Sequence, residues 1–356
     1  MKFIHCADVH LGSAFGGYPD LTQANRREEI LDTFRKLVQY AQAEGIRIIL
    51  IAGDLFDKNH ADPWRSRLTE LIRSAADISF YYIAGNHDSL GLDGFSCDLP
   101  PNLFLFSDEW KTYRQGSFAV SGVQAVNHRF LCGPPELSSA DCNIVLLHGE
   151  IGGSGAEAIP PEWVQNRNIR YIALGHYHTY KVWTQADGSV ACYSGCLEGR
   201  GADEIGEKGF VVVDTDKFFA PDRGVRFIPF AARTMQELRI DVSGAENLAA
   251  LGRKIYDAVT SAALPRKDCI YLTLVGSLPA AVRIDEQSIR DAVLALGYYH
   301  AEVRDETTVF LERSALSGEY SLRSAFIEKV TASSLSEAEK REVLKAGLAA
   351  LDKANA

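Results

Sequence analysis

Five of the nine histidines in this 356-residue chain stand in short clusters with aspartate, asparagine and glycine. The clusters are Asp8-Val9-His10, Gly53-Asp54-Leu55-Phe56-Asp57, Gly85-Asn86-His87-Asp88, His148-Gly149 and Gly175-His176-Tyr177-His178. Carboxylate, imidazole and amide groups without a thiolate form a mixed nitrogen and oxygen donor set. That set suits Mn2+, Fe2+ or Zn2+ and argues against an iron–sulfur cluster or a four-cysteine zinc site. The i, i+2 spacing of Asp8/His10 and of His176/His178 puts both donors on one face of an extended chain, or lets a tight turn send them to neighbouring ions. Glycine beside Asp54, Asn86, His148 and His176 is expected to permit sharp turns and positive φ. A single histidine at a strand end is more often a hydrogen-bonded core residue, and Gly-Asp-x-x-Asp occurs in many loops. Five clusters in this order carry the reading.

Each cluster follows an apolar run of strand type: Lys2–Ala7, Ile46–Ala52, Ile78–Ala84, Asn143–Leu147 and Ile169–Leu174. Between the first two lies a helix, with Asn25 and Glu28 as a capping box and Ile30, Phe34, Leu37 and Ala41 at helical spacing. This alternation predicts a layered α/β domain, in which loops at the C-terminal strand ends converge on one crevice. Runs at Ser117–Val123, Val190–Ser194, Phe210–Asp214 and Val225–Phe230 predict further strands, taken as antiparallel. Composition shifts near Pro229–Arg233. Beyond it, alternating strands and helices predict a small α+β domain over 233–313, the last strand ending near Leu311. A helical arm follows over 314–356. Its first helix carries Leu322, Phe326 and Val330 as a stripe; its second starts from a Ser334/Glu337 capping box and carries Leu344, Leu348 and Leu351.

The five motifs together resemble the calcineurin-like metallophosphoesterase superfamily. His5-Cys-Ala-Asp-Val-His-Leu-Gly12, Tyr193-Ser-Gly-Cys-Leu-Glu-Gly-Arg-Gly201 and Glu207-Lys-Gly209 are similar to its SbcD branch, DNA double-strand-break repair nucleases that work with an SMC-like ATPase. The resemblance implies a sandwich of two sheets flanked by helices over residues 1–232, a small capping domain and the helical arm. It implies one cation held by Asp8, His10, Asp54 and His178, and a second by Asp54, Asn86, His148 and His176, with Asp54 bridging. Mn2+ is the expected metal, with Fe2+, Zn2+ and Mg2+ as alternatives. His87 would be the general acid or the clamp on the leaving group, a role suited to an unperturbed pKa of ~6.5. Asp57 and Asp88 would orient ligands, or cap their loops. The expected activity is that of a metal-dependent DNA nuclease, with DNA, an SbcC-type ATPase bound through the arm, and a second copy of the chain as partners. Rival readings are a phosphatase or cyclic-nucleotide phosphodiesterase on the same metals, and a scaffold for DNA ends or the ATPase that has lost catalysis.

Composition limits these readings. Hydrophobic residues make up 46% and charged residues 24% of the chain, as in a folded globular protein. No apolar run approaches the ~20 residues of a membrane span. The opening MKFIHCADVH places an aspartate and two histidines where an export signal would be apolar, so a cytoplasmic location is expected. Seven cysteines without a C-x-x-C pair fit free thiols. A net charge of −10, from 37 basic and 47 acidic residues, excludes a generic polyanion binder. Local basic groups at Lys58, His60, Arg65 and Arg67, at His128 and Arg129, and at Asn25-Arg26-Arg27 are candidate phosphate contacts, or solvated surface charges.

Overall fold

The computed structural model describes the chain except for residues 17, 58–61, 89–98, 126–129, 131–132, 134–135, 156, 166–167, 187, 219–222, 280, 310–321 and 355–356. It divides into two compact units, Met1–Thr234 and Met235–Ala356.

The first unit begins with β1 (Lys2–Cys6), α1 (Asp20–Ala43), β2 (Ile48–Ala52), α2 (Asp62–Ser74), β3 (Ser79–Ile83) and β4 (Leu103–Leu105). There follow β5 (Lys111–Gln115), β6 (Phe118–Gly122), β7 (Cys142–His148), a ribbon of β8 (Glu150–Ile151) with β9 (Ala158–Ile159), and α3 (Pro161–Val164). The unit closes with β10 (Ile169–Gly175), β11 (Lys181–Thr184), β12 (Val190–Tyr193), β13 (Gly209–Asp214) and β14 (Val225–Pro229). These make two six-stranded sheets, ordered β14-β13-β1-β2-β3-β4 and β11-β12-β10-β7-β6-β5. Phe3, Leu50, Ala52, Tyr81 and Ile83 of one sheet meet Val120, Ile144, Leu146, Tyr171 and Ala173 of the other in a shared core. The central strands are buried on both faces, which is why they read as unbroken apolar runs.

Three expectations are corrected here. The first helix starts at Asp20 behind Pro19, five residues before Asn25, and no side chain caps it. Proline presets the φ of a helix start, and Glu28 turns to Arg67, receiving both guanidinium nitrogens at 2.7 Å. Second, the strands expected to be antiparallel at Ser117–Val123 and Val190–Ser194 run parallel to their interior neighbours β7 and β10. The antiparallel edges are β5 and β11, whose polar sequences hid them. Third, the glycines act in two ways. Gly53 and Gly149 have φ of 89° and 142°, but Gly85 and Gly175 do not have positive φ. A Cβ at Gly85 would strike the Asp54 carboxylate, and one at Gly175 the Ala52 carbonyl.

The second unit carries β15 (Met235–Asp241), α4 (Leu248–Ser261), β16 (Cys269–Val275), β17 (Ser277–Leu278), α5 (Glu286–Ala295), β18 (His300–Asp305), β19 (Thr308–Val309), α6 (Leu322–Thr331) and α7 (Glu337–Ala354). A parallel sheet ordered β15-β16-β18 packs Ile240, Ile270, Leu272 and Leu274 against Leu251, Ile255, Val259 and Val293 of α4 and α5. Leu311, the expected end of the last strand, lies outside the described residues. Helix α7 packs on β19, with Lys345 Nζ 2.7 Å from Asp305. Its capping box is Ser336 with Glu339, two residues past the expected pair: Glu339 accepts the Ser336 amide at 2.8 Å and its hydroxyl at 2.7 Å. The stripe on α6 is shifted too: Ile327 and Val330 are buried, while Leu322 at the helix start is exposed.

Candidate metal centre

The five motif clusters meet at the C-terminal ends of β1, β2, β3, β7 and β10. Beyond the sheet, the exits of β1 and β2 stay zipped together, with Asp8 N–H donating to Gly53 O at 3.0 Å and His10 N–H to Asp54 O at 2.9 Å. Asp8, His10 and Asp54 each have φ of 49°, and His176 has 108°. Four non-glycine residues in the left-handed region within one site mark a backbone whose surroundings dictate its shape. Gly53, Gly85 and Gly175 let the chains close around His148, because a Cβ on any of them would strike its ring.

On one side, His178 Nε2 lies 3.3 Å from His10 Nε2 and 3.9 Å from Asp8 Oδ1. On the other, His148 Nε2 lies 3.0 Å from Asn86 Oδ1, and its ring centroid is 5.5 Å from that of His176. Asp54 Oδ2 stands between the two groups, 3.8 Å from His10 Nε2 and 3.5 Å from His148 Nε2. Donor atoms that share an ion at about 2.0–2.2 Å sit roughly 3–4 Å apart. Among the described residues, donor atoms lie within 4.8 Å of one another in Asp8, His10 and His178, in Asp8, Asp54 and His148, and in His148, Glu157 and His176.

The electrostatics fit cations. Burial drives the Asp8 carboxyl up to about 7; the charge of Asp54 adds to this and the His148 and His178 imidazoles oppose it. His10 is held well below its ordinary value, first by burial and then by Arg200 and the neighbouring imidazoles. Its Nδ1 is buried without a hydrogen-bond partner among the described residues. Two buried carboxylates stand among imidazoles here, and such a donor set accepts divalent ions.

His87, 42% exposed, stands at the rim with Nδ1 4.0 Å from Asp57 Oδ1 and its ring 4.9 Å from that of His10. Its backbone N–H donates to Asp54 Oδ1 at 2.7 Å. Contact with His87 holds the Asp57 carboxyl below its usual range, although burial opposes this. Asp88 faces the backbone instead. It accepts the N–H groups of Gly85, Phe56 and Leu55 at 2.8, 2.8 and 3.2 Å, tying the Asp54 and Asn86 loops together.

Sequence reasoning missed Glu204, Arg200 and Glu157. Glu204 accepts from His178 Nδ1 at 2.7 Å, fixing the tautomer that leaves Nε2 facing Asp8. Burial alone would raise the Glu204 carboxyl, but His178 and Arg200 outweigh it and hold it at about 2. Arg200 grips Glu204 through Nε and Nη2 at 3.0 and 2.6 Å. Glu157, buried just before β9, faces His176 Nδ1 at 4.0 Å. Arg200 lay within the Tyr193–Gly201 run, which had suggested the family and no role.

Of the candidate phosphate contacts, Lys58, His60, His128 and Arg129 lie outside the described residues. Arg65 stacks on Phe56 at 5.3 Å, and Arg67 pairs with Glu28 and stacks on Trp64 at 5.0 Å. Arg26 is fully buried, bonded to Glu29 and to Gly199 O, so it is no surface charge. Among the described residues no helix is long and apolar enough to cross a membrane.

The sequence matches the calcineurin-like phosphoesterase family over residues 1–180. It is 29% identical over 309 residues to an uncharacterized metallophosphoesterase, YhaO, of Bacillus subtilis (strain 168), covering 78% of this chain and 72% of that protein. It is 24% identical over 368 residues to the DNA double-strand break repair protein Mre11 of Archaeoglobus fulgidus, covering 88% and 79%. Among solved structures, TT1561 of Thermus thermophilus is similar at a TM-score of 0.41 and 14% identity, covering 63% of this chain and 96% of that one.

Proposed function

The chain belongs to the calcineurin-like phosphoesterase family, whose members are metal-dependent hydrolases, and we propose that this one is a DNA nuclease of the double-strand-break repair type using two divalent cations, Mn2+ first. The observation that carries the binuclear reading is the place of Asp54 between the two donor sets. Bound there, two cations supply Lewis-acid charge for hydrolysis of a phosphodiester. Asp8, His10, Asp54 and His178 would hold one, and Asp54, Asn86, His148 and His176 the other. The chain's own part is orientation and proton supply. Glu204 fixes His178 in one tautomer, and Asp88 locks the loops of Asp54 and Asn86. His87, exposed at the rim with Asp57 behind it, holds a proton for the departing oxygen. The choice of DNA over a small phosphate ester rests on the SbcD-like motif runs and on the Mre11 relatives.

We also assign the terminal helices to an SMC-like ATPase, supported by Leu322, Leu335 and Val343, apolar yet exposed on or between α6 and α7. The deciding experiment offers purified protein linear DNA and a small phosphodiester, with Mn2+ or with EDTA. Mn2+-dependent degradation of the DNA is expected; hydrolysis of the small ester with DNA untouched would establish the small-substrate reading. Deleting residues 314–356 should abolish co-purification with the ATPase and leave small-ester hydrolysis intact. Loss of metals on truncation would show that the helices belong to this protein's own core.

A further inference from the structure

Each imidazole of His176-Tyr177-His178 faces a buried glutamate, and the two contacts differ in kind. Glu204 meets His178 Nδ1 at 2.7 Å, a hydrogen bond. Glu157 Oε2 stands 4.0 Å from His176 Nδ1, beyond hydrogen-bond range. That separation matches those of His10 from Asp54 and His178 from Asp8, at 3.8 and 3.9 Å, which is the spacing of donors around a shared ion. Donor atoms of His148, Glu157 and His176 all lie within 4.8 Å of one another. The backbone is built to put Glu157 there. Its φ is 63°, left-handed for a glutamate, and its carbonyl receives the Glu150 N–H at 3.1 Å. It sits so close to Gly149 that a Cβ there would strike the Glu157 carbonyl. A buried carboxylate 4.0 Å from one imidazole and within 4.8 Å of a second is placed for an ion.

We propose that Glu157 is a further ligand of the cation held at His148 and His176, an inference that rests on the binuclear reading above. That position then has Asp54 and Glu157 as carboxylates beside Asn86 and the two imidazoles. An oxygen-rich set of this kind favours Mn2+ or Mg2+ over softer ions.

The test uses the full chain stripped of metal and titrated with Mn2+, free ion being followed by electron paramagnetic resonance. Wild type should fill two positions. E157Q, nearly isosteric, should fill one with wild-type affinity and the other at least about tenfold more weakly. E157D should fall between them. With Co2+ in place of Mn2+, E157Q should gain visible absorption intensity as the coordination number drops. Wild-type affinities in E157Q overturn the assignment, as does an order that puts Gln at or above Asp. Weaker binding with an unchanged Co2+ spectrum also overturns it, since Glu157 would then be positioning His176. A wild-type protein that binds fewer than two ions overturns the binuclear reading itself.

Discussion

One carboxylate oxygen of Asp54 faces His10 at 3.8 Å and His148 at 3.5 Å, while the other accepts the His87 amide at 2.7 Å. Asp54→Ala should therefore empty both cation positions, taking Mn2+ content by mass spectrometry from two per chain to near none. A full complement in that variant would exclude the bridge. The hydrogen bond from the His87 N–H to this carboxylate survives loss of the side chain, so His87→Ala should keep both ions. Turnover should fall by ~10²–10⁴, the usual contribution of a proton-transferring side chain, and wild-type turnover would make His87 structural. The five clusters were legible because histidines with acidic or amide neighbours recur in a fixed order after successive apolar runs. Glu204 and Glu157 were not. Glu204 is one acid among several in its loop and Glu157 stands alone in a glycine-rich one, and what selects each is a contact with an imidazole from a distant segment.

At the scale of elements, interior strands declared themselves because burial on both faces demands apolar side chains without interruption, as in Ile48–Ala52. The edge strands β5, Lys-Thr-Tyr-Arg-Gln, and β11, Lys-Val-Trp-Thr, have an open side that tolerates polar residues, and pairing alone defines them. The capping boxes failed for a related reason: Asn25 and Ser334 have the right chemistry, but neighbouring Pro19 and Ser336 hold the helix starts. Where α7 meets the end of β18, burial alone would raise the Asp305 carboxyl, but Lys345 and Thr307 outweigh it and hold it below its ordinary value. An acid depressed on folding adds stability above its unfolded pKa of ~3.9 and loses it as pH falls through the folded value. Lys345→Met should accordingly cost about 1 kcal/mol near neutral pH, and the difference from wild type should shrink progressively as pH falls below ~3.9 in thermal unfolding followed across pH. A constant difference down to acid pH would mean that Lys345 acts through packing.

At the scale of the whole molecule, ligands of the folded state stabilise it by mass action, by about 2.7 kcal/mol at a hundredfold excess over Kd. Removing divalent ions with EDTA should lower the melting temperature by several degrees, and Mn2+ should restore it; a melt indifferent to EDTA would leave the buried carboxylates without their counter-charge. The four left-handed residues Asp8, His10, Asp54 and His176 give this linkage a second meaning. Held conformations of that kind cost about 1–3 kcal/mol each, carried by the rest of the fold. A metal-starved cell would thus hold a protein strained by its own catalytic loops, with a larger unfolded fraction open to proteases. Because about 1–2 kcal/mol can change abundance several-fold, metal supply would set how much of the protein survives as well as how much of it is active.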